Sequence, residues 1–152
     1  MSVAFRRESD EEHLEPKFGR PIPPGPNLVT PNGLAAMQAM VTRFDAEVAG
    51  APDEETRTAL RRDQRYWQTR LASAQLAPAP ADGEAGIGSR VTFRLQGTER
   101  RIAIVGSDEA DGRDAIAFTA PLARALIGSA AGDVLACAGR DYAIEVLAVE
   151  SL

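Results

Sequence analysis

Three consecutive carboxylates, Asp53, Glu54 and Glu55, are the residues of this sequence best placed to do chemistry. They follow a Gly-Ala-Pro turn and precede a cluster of arginines. Clustered carboxylate oxygens are ligands for hard cations such as Mg²⁺. Acidic residues in the first turn of a helix also complement the positive end of the helix dipole, each by roughly 0.3–1 kcal/mol, without any metal. The residues alone allow both a metal-holding and a helix-capping interpretation.

A second acidic group lies in "IVGSDEAD", where Asp108, Glu109 and Asp111 follow a predicted strand. Turns favour such residues without a metal, and no regular ligand spacing follows, so we do not predict a metal loop. The single histidine, His13, lies in a charged segment, and the single cysteine, Cys137, lies in an apolar run that predicts a core residue. The sequence contains no glycine-rich phosphate loop and no GxSxG motif, so it predicts no active site of its own.

The composition is that of an ordinary soluble protein with one or two small domains. The chain has 152 residues, of which 44% are hydrophobic and 5% aromatic, and its formal net charge is −5. A negative charge disfavours general binding to duplex nucleic acid, which needs a basic face. The first residues lack an apolar signal core, and no apolar run is long enough to cross a membrane, so we expect a cytoplasmic protein.

The first half of the chain predicts two helices packed against each other. Residues 1–28 have no hydrophobic period and end in "RPIPPGPN", which predicts a flexible tail, with a docking strand as the alternative. Residues 29–77 predict an antiparallel helical hairpin, because apolar residues recur at heptad-like steps in two segments joined by "GAP". Residues 78–86 form a linker. The predicted seams consist of Leu34, Met37, Val41, Phe44 and Val48 in the first helix and of Leu60, Gln64, Trp67, Leu71 and Ala74 in the second.

Residues 87–152 change to the period of a sheet. Val91, Phe93 and Leu95 alternate with polar residues in "SRVTFRL", as in a half-buried strand. Further strands are predicted in "RRIAIVG", "AIAF", "DVLACAG" and "YAIEVLAVE", the last two joined across "GRD". A short helix is predicted in "PLARALIG", with Pro121 at its start and Gly128 at its end. The fold class is therefore α+β, a helical hairpin followed by a small β-sheet domain with one short helix.

Four stretches of this sheet domain identify a family. "IGSRVTFRL", "RIAIVGSDEAD", "IAFTAPLARALIG" and "AGDVL", in this order and spacing, resemble the C-terminal domain of the GreA/GreB family of bacterial transcript-cleavage factors. That domain is FKBP-like in fold, and the resemblance covers about residues 86–150. More weakly, "RRDQRYWQTRLASAQL" resembles the second half of the family's second coil helix.

The resemblance implies a partner and a mechanism. Factors of this family bind bacterial RNA polymerase at the rim of its secondary channel, and their coiled coil reaches down the channel. Two acidic residues at the tip help to hold the second Mg²⁺ of the polymerase active centre, which stimulates cleavage of backtracked nascent RNA. The factor is then not an enzyme, binds no cofactor alone and has no small-molecule substrate or membrane partner. The tip acids implied here are Asp53 and Glu54.

The tip also departs from the family's pattern. Asp53 falls where the second tip acid lies, whereas the first falls on Gly50, which has no side chain to coordinate a metal. The first predicted helix is also shorter than that of the family by more than one turn. These departures keep open an alternative function, in which the protein occupies the channel without stimulating cleavage and competes with true cleavage factors.

The resemblance also implies which residues contact the polymerase and the RNA. Two interpretations stay open for Arg57, Arg61 and Arg62. They contact RNA or the channel, or they form an ordinary solvent-exposed helix face. A peptidyl-prolyl isomerase is disfavoured because Phe93, Phe118 and Tyr142 are too few for an aromatic pocket, and a plain coiled-coil adaptor leaves the family motifs unexplained. Leu122, Leu126 and Ile127 are expected to pack in the core. The predicted polymerase-binding residues are Asp108, Glu109, Thr119, Ala120, Pro121 and Arg124.

Overall fold

The computed structural model of the chain describes residues 20–136 and 143–152. These residues form two compact units. The first, which we call the hairpin unit, contains residues 20–25 and Ala35–Ser73. The second, the sheet unit, contains Pro26–Leu34 and the described residues of Ala74–Leu152. His13, Cys137, Tyr142, the "GRD" turn and most of the predicted tail lie outside the described residues.

Two long helices occupy the region predicted to be a helical hairpin. Helix α1 spans Pro31–Ala49 and helix α2 spans Glu54–Ser73, so only four residues connect them. Met37 and Phe44, both from the predicted seam of α1, are buried. The Gln64 side chain donates a hydrogen bond of 2.9 Å to the Asp45 carboxylate on the other helix. The prediction of a helical hairpin is thus confirmed.

The second half of helix α2 is more buried than its heptad pattern predicts. Tyr66 and Arg70 are 7% and 3% exposed, although neither belongs to the predicted seam. The Arg20 guanidinium lies 3.9 Å from the centroid of the Tyr66 ring and pairs with Asp63 at 3.1 Å. The segment before the hairpin, which includes Arg20, therefore contributes to the packing of α2. The spacing of apolar residues within α2 does not indicate this contribution.

The sheet unit contains the strands β3 (Ser89–Leu95), β4 (Thr98–Val105), β5 (Ala115–Ala117), β6 (Val134–Ala136) and β7 (Ala143–Ser151). They form a five-stranded mixed sheet in the order β5-β4-β3-β7-β6. Strands β4 and β5 are parallel, and the other neighbours are antiparallel. A short helix, α3, spans Pro121–Leu126 and ends before Gly128, whose positive φ of 92° suits a glycine.

One face of this sheet forms the core with α3. Val91 and Phe93 of β3 are fully buried, as their alternation predicted, together with Ile104 of β4 and Ile144 of β7. Ala123 and Leu126 pack against them from α3. Ile127 was expected in this core but is 42% exposed, because the chain leaves the helix there in an extended conformation. The predicted α+β fold class is confirmed.

A two-stranded parallel ladder in the sheet unit was not predicted. Strand β1 (Leu28–Val29) pairs with β2 (Gln75–Leu76). Residues 29–34 and 74–77, predicted to belong to the hairpin, therefore group with the sheet unit. Strands of two residues are too short to show alternation, which explains why they could not be predicted. Among the helices described, none has the length and apolar character needed to cross a membrane.

Candidate functional site

The hairpin tip, residues 50–54, is the first candidate site, and Asp53 caps the helix that follows it. One Asp53 carboxylate oxygen, Oδ1, accepts a hydrogen bond of 2.7 Å from the backbone N–H of Thr56. The carboxylate thereby satisfies one of the unpaired donors of the first helical turn. This hydrogen bond to Thr56 is the main reason why the pKa of Asp53 lies below its ordinary value. The structure thus places Asp53 in the helix-capping role that the sequence allowed.

Glu54 lies beside Asp53 and is paired with arginines of the next turns. Its carboxylate is 2.7 Å from the Arg57 guanidinium and 3.9 Å from that of Arg61. Arg57 also donates a hydrogen bond of 3.2 Å to the backbone carbonyl of Ala51, so it ties the connection to α2. The Glu54 side chain nevertheless remains 72% exposed. The pair is therefore a surface interaction that a stronger ligand of the carboxylate would displace.

The predicted metal pair, Asp53 and Glu54, supplies at most part of a coordination shell. In residues 20–136 and 143–152, no group of three or more acidic, histidine or cysteine side chains is arranged to hold a metal ion. Mg²⁺ takes octahedral coordination and often binds through one or two carboxylates plus other ligands. Two exposed carboxylates fit a cation whose remaining ligands come from elsewhere.

The three arginines predicted to contact RNA differ in their exposure and in their contacts within the protein. Arg57 is 30% exposed and is held by Glu54 and the Ala51 carbonyl, whereas the Arg61 side chain is 50% exposed. Arg62 is half-buried. Arg61 is therefore the most accessible cation of the three, next to the acidic tip.

The second candidate site is the surface at the start of α3. Thr119, Pro121 and Arg124 are exposed there, and Ala120 is half-buried. Ala120 is the N-cap residue of α3 and has no side-chain hydrogen bond to offer. A shallow groove runs beside Pro121 and Arg124 and is also lined by Ala125 and Ala136. The structure thus brings together four of the six predicted polymerase-binding residues; we call them the α3 surface.

The other two predicted polymerase-binding residues, Asp108 and Glu109, lie in the turn after β4. Glu109 is engaged inside the sheet unit. Its Oε1 accepts a hydrogen bond of 2.6 Å from the Thr30 hydroxyl, and its Oε2 accepts from the backbone N–H groups of Thr30 and Gly106 at 3.3 and 3.2 Å. The Thr30 hydroxyl in turn accepts from the N–H of Gly33 at 3.0 Å. We call these four residues, Thr30, Gly33, Gly106 and Glu109, the capping cluster.

The capping cluster was not predicted as a unit. Thr30 is the N-cap of α1, but its link to Glu109, 79 positions later, leaves no trace in the local sequence. Gly33 in the first turn of a helix was the available signal, because glycine weakens helices and often marks a close approach of another group. A Cβ at Gly33 would overlap the Glu109 carboxylate.

Asp111, next to the cluster, holds the connection between β4 and β5. Its Oδ1 accepts hydrogen bonds from the backbone N–H groups of Arg113, Asp114 and Ala115 at 2.7, 3.0 and 3.0 Å. These bonds, chiefly that from Ala115, hold the pKa of Asp111 below its ordinary value. Asp111 thus organises a turn, a role that aspartate commonly has.

Comparison with known proteins identifies the sheet domain. Residues 80–151 match the family model described as "Transcription elongation factor, GreA/GreB, C-term", and no curated protein matches. Among solved structures, the GreA factor homolog 1 (Gfh1) of Thermus thermophilus is 18% identical and aligns over 84% of this chain and 100% of its own, with a TM-score of 0.39. Gfh1 of Thermus aquaticus is 17% identical over 83% and 99%, with a TM-score of 0.41.

A GreA/GreB factor of Nitrosomonas europaea is 17% identical over 84% of this chain and 99% of its own, with a TM-score of 0.38. The similarity rests on the family model, whose match contains strands β3 to β7, α3 and the "IVGSDEAD" motif on which the resemblance was based. The C-terminal part of the chain, residues 80–151, is thus similar to the C-terminal domain of GreA/GreB transcription elongation factors.

Proposed function

We propose that the protein binds bacterial RNA polymerase at its secondary channel and modulates the cleavage of backtracked RNA. The observation that carries the proposal is a GreA/GreB C-terminal domain preceded by a helical hairpin with exposed carboxylates in its tip. The sheet unit would bind the rim through the α3 surface and Asp108. The hairpin would enter the channel, with Arg61 and Arg62 beside RNA or channel groups.

The tip acts on chemistry that the polymerase performs. A Mg²⁺ ion shared with the polymerase would stabilise the attacking water and the charge that develops on the cleaved phosphate. Asp53 and Glu54 are the residues of this chain that would help to hold it. To do so, Glu54 must leave Arg57, which costs little because exposed ion pairs typically contribute about 0.2–1 kcal/mol. Asp53 would have to combine metal contact with its cap on the Thr56 N–H.

The tip geometry also favours a second candidate function, occupation of the channel without stimulation of cleavage. Gly50 stands where the family's first tip acid lies, Asp53 is committed to capping, and Glu54 is paired with Arg57. A tip whose acids are all engaged locally adds little affinity for a weakly held cation. Such a protein would protect backtracked RNA from other cleavage factors by excluding them from the channel.

One experiment tests the proposal and separates the two candidates. The protein is added to backtracked elongation complexes at limiting Mg²⁺, and shortening of the RNA is measured with and without a second cleavage factor. Stimulation that is lost in an Asp53→Ala, Glu54→Ala double variant supports modulation through the tip acids. A Glu99→Ala, Glu145→Ala variant removes two exposed carboxylates from the sheet unit and serves as the charge-matched control.

The outcomes divide cleanly between the candidates. If the protein slows cleavage by the second factor, and the tip variant slows it equally, the result supports occupation of the channel. Equal losses in the tip variant and in the charge control contradict a specific role of the tip acids. If the immobilised protein retains no polymerase and alters cleavage in neither direction, the proposal is wrong.

A further inference from the structure

The capping cluster departs from the usual way of starting a helix. In the common capping box, a threonine at the N-cap is followed three residues later by a glutamate whose side chain returns to the N-cap backbone N–H. In α1 the N-cap is Thr30, but the residue three positions later is Gly33. Glu109, from the turn after β4, supplies the missing carboxylate from another part of the sheet unit.

Two glycines make room for this contact. A Cβ at Gly33 would overlap the Glu109 carboxylate, and a Cβ at Gly106 would lie 2.5 Å from the backbone carbonyl oxygen of Leu28. Neither glycine has a positive φ, so no turn conformation demands them. Their purpose is therefore the close approach of the start of α1 to the turn after β4. Thr30 is only 4% exposed, so this polar contact is largely shielded from water.

We propose that Glu109 is a positioning residue for the action of the hairpin, rather than a polymerase contact. This inference rests on the proposed function. Glu109 fixes the point at which α1 begins on the sheet unit, and α1 continues from this anchored turn to Ala49 without interruption. The action of the tip on the polymerase depends on this anchor, because a site held loosely by its supporting residues loses most of its effect. Docking through the α3 surface does not depend on it.

The test separates the strength of polymerase binding from the effect at saturation. RNA cleavage in backtracked complexes is measured as a function of factor concentration for the wild type, Glu109→Ala and Glu109→Gln. A positioning role predicts that Glu109→Ala keeps its half-saturating concentration within about twofold, whereas its maximal effect, stimulation or protection, falls about tenfold. Glutamine can accept from the two backbone N–H groups and donate to the Thr30 hydroxyl, so Glu109→Gln retains most of the effect.

A second variant reaches the same contact from the other side. Gly33→Ala places a methyl group against the Glu109 carboxylate and is expected to reproduce the loss seen in Glu109→Ala. Because both changes disrupt one contact, the double variant should be no worse than either single variant. Glu99→Gln, which removes an exposed charge from β4, is the charge control. Circular dichroism verifies that each variant is folded, and hydrogen exchange at the Leu34 amide verifies that the first turn of α1 has loosened.

The alternative outcomes overturn the inference in distinguishable ways. If the half-saturating concentration rises in Glu109→Ala while the maximal effect is recovered at high concentration, Glu109 is a polymerase contact. If both parameters equal those of the wild type although exchange at Leu34 is faster, the anchor has no functional role. If the wild type itself neither binds the polymerase nor alters cleavage, the proposed function fails, and this inference fails with it.

Discussion

Replacement of Gly106 by alanine tests how closely the turn after β4 must approach strand β1. A Cβ at this position would lie 2.5 Å from the Leu28 carbonyl oxygen and 3.3 Å from Oε2 of Glu109. Contacts of a Cβ below 3.0 Å are essentially never observed, so the backbone of β1 must move by at least the difference between 2.5 and 3.0 Å. That movement strains the pairing of Leu28 with Gln75 and the bonds of the capping cluster.

The expected cost follows from the nature of the clash. Gly106 is buried and the opposing atom belongs to the backbone, so no flexible side chain can yield. Overpacking of this kind costs typically about 1–3 kcal/mol. A loss of about 2 kcal/mol lowers the unfolding temperature of a protein of this size by about 4–8 °C. The matched control is Gly50→Ala, whose Cβ would lie 3.5 Å from its nearest neighbour and should change stability by less than about 0.5 kcal/mol.

The assay must report on the sheet unit. The only tryptophan, Trp67, lies in the hairpin unit, so its fluorescence follows the wrong part of the molecule. Scanning calorimetry and hydrogen exchange at the β1–β2 amides are suitable. A Gly106→Ala variant that unfolds at the wild-type temperature, with wild-type exchange at Ala77, would refute the close approach of these segments, because Ala77 donates to the Val29 carbonyl.

Two further predictions concern single side chains. The pKa of Asp111 is lowered, so its contribution to stability is present above the ordinary value of 3.8 and is lost as the pH falls through the lower folded-state pKa. We therefore expect the difference in unfolding temperature between the wild type and Asp111→Asn to shrink in that acidic range. A difference that grows on acidification would contradict the hydrogen bonds of Asp111. Arg20→Ala removes the ring contact with Tyr66 and the pair with Asp63, and should destabilise the hairpin unit by about 1 kcal/mol, measured by Trp67 fluorescence in urea; Arg20→Lys should retain part of this stability.

The parts of the fold that follow from local periodicity could be predicted from the sequence. The alternation of Val91 and Phe93 identified β3, and the spacing of Met37 and Phe44 identified the buried face of α1. Asp53 was recognised as a residue that could open α2, because a cap depends only on neighbours within one turn. Each of these signals lies within a few residues of the feature that it predicts.

The parts that depend on contacts between distant residues could not be predicted. The hydrogen bond between Glu109 and Thr30 joins residues 79 positions apart, so no local pattern indicates it. Tyr66 contacts Arg20, 46 positions earlier, and this contact has no heptad signature. Ile127 illustrates the converse, since an apolar residue directly after a buried helical turn became exposed when the chain left the helix.

The proposed function requires the tip of the hairpin to enter the secondary channel of RNA polymerase. The most direct measurement places a photo-crosslinking amino acid at exposed Pro52 and, in a second variant, at exposed Thr119, in complex with backtracked bacterial RNA polymerase. We predict crosslinks from position 52 to the inner part of the channel or to the RNA 3′ segment, and from position 119 to the channel rim. Crosslinks from position 52 that map only to the outer surface of the polymerase, or none from either position, would contradict the account.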